Sequence, residues 1–308
     1  MRKIRVQAIV FCVAVCCCVA AWADPPTRTL GRVFARLKAG QQTTIAYFGG
    51  SITAAPGYRV KTFDWFKKTF PQAKLVEVNA AIGGTGSDLG AFRCGADVVA
   101  KRPDLVFVEF NINDGSPTNE FRKATMEGIV RQLWRSESKP EIVFLYTTSR
   151  TLDCPRSSHP AVARHYGIPE IDLQPPLVEA LKRPDLPKPT EKQLADPKFD
   201  WKARGQVFMG DSVHPNDLGH TIYTDTITAY LKTQIDARPL PPPALGAFCP
   251  LRMSASRISR CASRFCGFSS RALSKDRFAS SYRSMDIRVL PLFTCASSKL
   301  GSILVARS

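Results

Sequence analysis

Histidine is scarce in this chain of 308 residues: there are four, His159, His165, His214 and His220. Any chemistry that needs an imidazole must draw on one of them. Cysteine is thin where a folded domain would use it. Of ten cysteines, four lie at 12, 16, 17 and 18 and four lie beyond Ala247, which leaves Cys94 and Cys154 for the region between. Those two could pair in an oxidising compartment, but two cysteines so far apart in sequence do not establish a bridge. Acidic residues are the third shortage, 26 against 43 Lys and Arg, for a net charge of +17. A surplus of that size suggests a nucleic-acid or anionic-surface partner, and its distribution removes the suggestion. Residues 247–308 carry eleven Lys or Arg against two acidic residues, and Arg2, Lys3 and Arg5 add three more positive charges. Only +5 is left for the middle, so nucleic acid is not an expected partner.

Long hydrophobic runs are also few. One lies at residues 9–21, after the basic start Met1-Arg2-Lys3-Ile4-Arg5 and before Ala21-Trp22-Ala23. A basic start, a short apolar run and a small-x-small site read as a secretory signal peptide over residues 1–23. The run is too short to span a bilayer well, although an uncleaved anchor stays open. A lipoprotein site is the weaker alternative, since Val15 precedes Cys16 where a small residue is wanted. No later segment looks transmembrane. Residues 246–308 form a basic Ser/Arg/Cys-rich tail without helical or strand periodicity. It reads as a disordered extension, an anion-binding appendage or a stretch translated out of frame. Between these ends, residues 24–245 make one domain long enough for a real core.

Within the domain, strands alternate with helices. Residues 43–48 (TTIAYF), 74–79 (KLVEVN), 104–110 (DLVFVEF), 141–146 (EIVFLY) and an edge segment at 170–173 read as strands. Helical spacing covers 62–70, with Phe63, Phe66 and Phe70 on one side, then 87–101 with Ser87 as its cap. Further helices cover 119–134, the region around Ala161, 177–181 and the segment after Asp217. This alternation predicts a three-layer α/β/α sandwich with a mainly parallel sheet. Ligands of such sheets sit outside the carboxyl ends of the strands, where the glycine-rich and polar stretches fall. Residues 183–204 break the pattern as a proline-rich excursion that could shape a cleft. Of the tryptophans, Trp201 in that excursion is the best candidate to stack on a sugar. Trp65 is a second, and Trp134 reads better as core.

Four stretches suggest one reaction. The strand at 43–48 ends in Gly49-Gly50-Ser51-Ile52-Thr53, which is either a plain turn or a serine held in the open. A serine hydroxyl needs a base, and His214 stands out because Asp211 precedes it by three residues in Gly210-Asp211-Ser212-Val213-His214. A carboxylate there can reach the imidazole Nδ1–H and leave Nε2 for the serine. An Asp-x-x-His pair could also ligate a metal or cap a helix. His220 falls inside the last helix and reads as packing or surface. Donors for a developing oxyanion are the Ser51 N–H, the Gly83-Gly84 turn and the Asn113 amide of Asn111-Ile112-Asn113-Asp114.

Taken together and in order, these blocks resemble the SGNH hydrolase superfamily, also called GDSL esterases and lipases. The matching positions are Ser51, Gly84, Asn113 and His214, with Asp211 at the place of the triad acid, and the resemblance runs over about 43–229. It implies a flavodoxin-like fold and a serine esterase with catalytic Ser51, Asp211 and His214. It also implies an oxyanion hole from Ser51, Gly84 and Asn113, with no metal or organic cofactor. "YFGGSIT" with "HPNDLGH" is similar to secreted bacterial members associated with carbohydrate deacetylation. The expected partner is therefore a small-molecule or polysaccharide ester. A lipase, a lysophospholipase, an acyltransferase and a non-catalytic carbohydrate-binding protein are the rivals. Two positions depart from the family pattern: Gly50 stands where aspartate is usual, and Asn111 stands where glycine is usual, a residue that could narrow or polarise the pocket. The α/β-hydrolase elbow G-x-S-x-G does not fit, because Thr53 occupies the last glycine.

Overall fold

The structure, a computed structural model, describes residues 25–115, 119–183, 185 and 207–245. The leader at 1–23, the tail at 246–308 and nearly all of the excursion at 183–204, with Trp201, lie outside the described residues. Every described residue belongs to one compact unit within Met1–Met253.

The first strand, β1 (Thr43–Gly49), follows a helix α1 (Gly31–Lys38) and is buried along its whole length. After β1 come a one-turn helix α2 (Ser51–Ala54), helix α3 (Tyr58–Thr69), strand β2 (Leu75–Asn79) and helix α4 (Ser87–Asp97). Strand β3 (Leu105–Glu109) leads into a second one-turn helix α5 (Asn111–Asp114), then α6 (Glu120–Arg135), β4 (Glu141–Tyr146) and α7 (His159–Tyr166). Strand β5 (Glu170–Asp172), helix α8 (Gln174–Ala180) and helix α9 (Asp217–Gln234) complete the order. All strand pairs are parallel, in the order β2-β1-β3-β4-β5, which is the flavodoxin-like doubly wound arrangement. The predicted α/β/α class is therefore what the chain adopts.

Two apolar cores explain the layers. On one face, Ile45, Tyr47, Leu105, Phe107, Val143 and Leu145 pack against α1, α3, α8 and α9. On the other, Ala46, Phe48, Val106, Val108, Ile142 and Phe144 pack against α4, α6 and α7. Strands buried on both faces must be apolar at every position, and this is why β3 and β4 read as continuous runs rather than alternating ones. Phe63, Phe66 and Phe70 are buried on one side of α3, as their spacing predicts, and Trp134 is core. Among the described residues, no helix is long and apolar enough to cross a membrane.

Three details differ from the sequence expectation. Helix α1 has no counterpart among the predicted elements, although Val33, Phe34 and Leu37 give it a buried stripe. Helix α3 starts four residues earlier than predicted, because Gly57 lets the chain pass against the His220 ring, where a Cβ would sit 2.3 Å away. Ser87 is not the cap of α4. Gly86 holds the N-cap position, and Asp114 from α5 accepts the Ser87 N–H at 2.8 Å. Cys94 and Cys154 are both free thiols, and burial pushes their pKa values up to about 12 and about 11.

Candidate active site

The order of strands reverses between β1 and β3, so a crevice opens beyond their carboxyl ends. The turns that leave these two strands carry Ser51 and Asn113. Gly50 takes an extended conformation at the N-cap of α2 (φ −91°, ψ −153°), which turns Ser51 out of the strand and onto the first position of the helix. Ser51 Oγ lies 2.7 Å from His214 Nε2. His214 Nδ1 lies 2.7 Å from Asp211 Oδ2. Asp211 Oδ1 accepts the main-chain N–H groups of Val213 (2.9 Å) and His214 (2.8 Å). Desolvation opposes ionisation of Asp211, but those two N–H groups and the His214 ring outweigh it and hold its pKa down to about 2. An ionised Asp211 keeps the imidazole proton on Nδ1 and leaves the Nε2 lone pair toward the serine.

The loop that carries both residues is pinned at each end. Gly210 N–H donates to His214 O at 2.8 Å, Met209 and Pro215 form a β-bridge, and Arg150 N–H donates to Ser212 O at 2.8 Å. Asn216 then caps α9 by accepting the Gly219 N–H at 3.0 Å. A short loop closed in this way fixes the imidazole before substrate arrives, which is the preorganisation that proton transfer requires. Of the other histidines, His159 is buried against Asp114 (2.8 Å) and His220 is buried in α9, where its Nδ1 accepts the Tyr58 N–H at 3.1 Å.

The three expected oxyanion donors converge on the same crevice. A Cβ placed on Gly83 would be 3.6 Å from Ser51 Cβ, so the Gly83-Gly84 turn lies beside the serine, with Gly84 in the left-handed region (φ 71°). Asn113 Oδ1 lies against Gly50, 2.6 Å from where a Cβ would be. Among the described residues, the N–H groups of Ser51 and Gly84 and the Asn113 amide nitrogen have no hydrogen-bond partner. Donors left open in a crevice can take up charge that develops there. The Gly50 contact also explains one departure from the family pattern, since an aspartate at 50 would collide with Asn113.

The other departure has a different consequence from the one expected. Asn111 does not narrow the pocket. It is fully buried, and its amide pairs with Thr147: Nδ2 donates to Thr147 O at 2.6 Å, and Oδ1 accepts the Thr147 N–H at 3.0 Å. It therefore ties the ends of β3 and β4 together. Three further residues went unnoticed in the sequence. Asp114 couples the Asn113 turn to the start of α4. Arg93 from α4 donates to Gly49 O (3.2 Å) and to Ala80 O, and its guanidinium stacks 4.5 Å over Phe48, so it braces the ends of β1 and β2. Glu109, the last residue of β3, is buried under the Ser51 turn. Its only sequence signal is position, a carboxylate continuing the apolar row of Leu105 and Phe107.

A cleft of about 670 Å³ opens beside the His214 loop, lined by Ile112, Ser149, Arg150, Thr151, Asp153 and Ser212 among others. Residues 47–222, more than half of the chain, match the GDSL-like lipase/acylhydrolase family. The chain belongs to that family. Two structures of a two-domain esterase active on acetylated mannans, one co-crystallised with mannopentaose, are similar to this GDSL-like chain at 31% identity over 71% of its length. Their TM-scores are 0.57 and 0.56, and the match covers 57% and 58% of those proteins. The GDSL-like chain thus spans less than two thirds of their length. An acetylxylan esterase from Geobacillus stearothermophilus matches at 17% identity, over 65% of this chain and 97% of its own, with a TM-score of 0.48. At that distance the likeness carries no weight for function. No curated protein matches the chain significantly.

Proposed function

We propose that this protein is an exported serine esterase that removes O-acetyl groups from carbohydrate, with residues 24–245 as its catalytic domain. The observation that carries the chemistry is the unbroken relay from Ser51 Oγ through His214 to Asp211, with both contacts at 2.7 Å. Ser51 attacks the ester carbonyl while His214 Nε2 takes its proton. The oxyanion sits among the N–H groups of Ser51 and Gly84 and the Asn113 amide. His214 then gives its proton to the leaving alcohol oxygen, and an acyl-enzyme remains. Water attacks the acyl-enzyme with His214 again as base, and the acid is released as Ser51 recovers its proton. Asp211 orients the ring and balances its charge in both halves.

The substrate class rests on membership of the family, on the acetylated mannans named for the similar esterases, and on the cleft. Hydroxyl and charged side chains from Ser149, Arg150, Thr151 and Asp153 line it, which suits a sugar better than an alkyl chain. The apolar leader at 1–23 supports a secreted or periplasmic location. The test is a comparison of substrates: acetate release from acetylated mannan and acetylated xylan against fatty-acid release from a lipid ester. The reading expects acetate and no fatty acid. Preference for the lipid ester overturns it in favour of a lipase on the same site.

A further inference from the structure

Glu109 lies at the end of β3 with 1% of its surface exposed. Its row on the strand faces α3 and α9, and the carboxylate lies beneath the turn that carries Ser51. Thr53, two residues after Ser51 on the same one-turn helix, places its hydroxyl 2.8 Å from Glu109 Oε2 and 2.6 Å from the Tyr58 hydroxyl. On the other side, the Thr147 hydroxyl is 3.2 Å from Glu109 Oε1 and 2.9 Å from Asn111 Oδ1. The Gly50 N–H donates to the main-chain oxygen of Glu109 at 3.3 Å. One carboxyl group therefore joins the serine turn to the turn that carries Asn113.

The protons of this cluster can be counted. Among the described residues Tyr58 has no other acceptor for its hydroxyl, so it donates to Thr53 and Thr53 donates to Glu109 Oε2. The Asn111 amide has a fixed orientation, because its Oδ1 accepts the Thr147 N–H and its Nδ2 faces Thr147 O. Oδ1 is also the nearer acceptor for the Thr147 hydroxyl, which therefore points at it. With the Thr147 proton engaged at the shorter contact, the 3.2 Å contact between Thr147 Oγ1 and Glu109 Oε1 is open to a proton from the carboxyl. We propose that Glu109 is a neutral carboxylic acid, donating through Oε1 to Thr147 and accepting through Oε2 from Thr53, and that it acts as a positioning residue holding Ser51 and Asn113 in register. The proposal rests on the esterase reading above for its kinetic consequence, though not for the protonation itself.

The surroundings agree. Among the described residues no cation bonds the carboxyl: Arg59 on α3 directs its guanidinium to Thr53 O and Glu77. Facing Glu109 are Thr53 from α2, Tyr58 from α3, Thr147 after β4, Asn111 and Asp114 from α5, and Tyr223 from α9. His220 lies one step further, behind Tyr58. An ionised carboxylate without a counter-charge is strongly disfavoured in such a place. Burial accordingly pushes the Glu109 carboxyl above the ordinary range of a glutamate, against the pull that the Thr53 and Thr147 hydroxyls and the Gly50 N–H would exert on an ionised form.

Glutamine reproduces a neutral acid with the same donor and acceptor, and alanine reproduces neither. On a short-chain ester, Glu109→Gln is expected to keep kcat within about threefold, while Glu109→Ala lowers kcat by about 10- to 100-fold with KM little changed. Infrared difference spectra at neutral pH should show a protonated carboxyl C=O band in the native protein that Glu109→Gln removes. Equal losses in the Gln and Ala variants, full activity in the Ala variant, or no such band would each overturn the proposal. The infrared result does not depend on turnover. If the native enzyme hydrolysed no ester, the esterase reading would fail while the band still decided the protonation of Glu109.

Discussion

A methyl group on Gly50 would stand 2.6 Å from Asn113 Oδ1, so the smallest possible side chain there must move the proposed oxyanion donor. Gly50→Ala should therefore lower kcat rather than raise KM, by about tenfold for a partial displacement of the donor. Deleting that donor outright with Asn113→Ala should reduce kcat by about 10²–10³. Steady-state kinetics on a short-chain ester, with folding checked by circular dichroism, measures both. Asp211→Asn keeps the shape of the loop but no longer holds the Nδ1 proton as a carboxylate does, and a loss of about 10⁴ in kcat is expected. The sequence could propose Ser51, Asp211 and His214, since each sits in a short motif beside a strand end. Glu109 shows there only as a carboxylate continuing an apolar row, and Arg93 not at all. Their roles depend on contacts from Thr53, Thr147, Gly49 and Ala80, and no motif brings those together. The role of Asn111 is hidden in the same way: only the neighbouring strand reveals that its amide is already engaged.

Between the elements, the contact of α3 with α9 carries a pH dependence of its own. His220 accepts the Tyr58 N–H through Nδ1, and burial, with Lys61 nearby, depresses its pKa from 6.5 to about 4. The folded state thus binds a proton more weakly than the unfolded chain. The stability that neutral His220 contributes is present above about pH 6.5 and is lost as the pH falls toward 4. The full loss is about 3 kcal/mol. In urea titrations, His220→Gln should be less sensitive than the native protein between pH 6.5 and 4; an unchanged pH slope would contradict the assignment. The elements themselves were legible where burial makes the pattern simple, as in β1, β3 and β4. Boundaries set by long-range contacts were not, such as the start of α3 at Gly57 or the capping of α4 by Asp114. Local sequence does not encode what packs against it from 27 residues away.

On the scale of the molecule, the parallel sheet with helices on both faces was readable from alternation alone, and the position of the site followed from the rule about strand ends. The proposed boundaries are a separate matter. Most of the excess charge lies in 247–308 rather than in the domain. A chain of residues 24–245 should retain the ester-hydrolysing activity of the full chain within about twofold, because a single domain of this size supports its own core. A large loss, measured on the same substrate, would assign the tail a part in the fold or the site. The central claim is that Ser51, through His214 and Asp211, removes acetyl groups from carbohydrate. Its most direct test is acetate release from acetylated mannan or xylan by the native protein and by Ser51→Ala side by side. The account predicts steady acetate release by the native protein and none above background by the folded variant. Equal release by both, or none from the native protein, would contradict it.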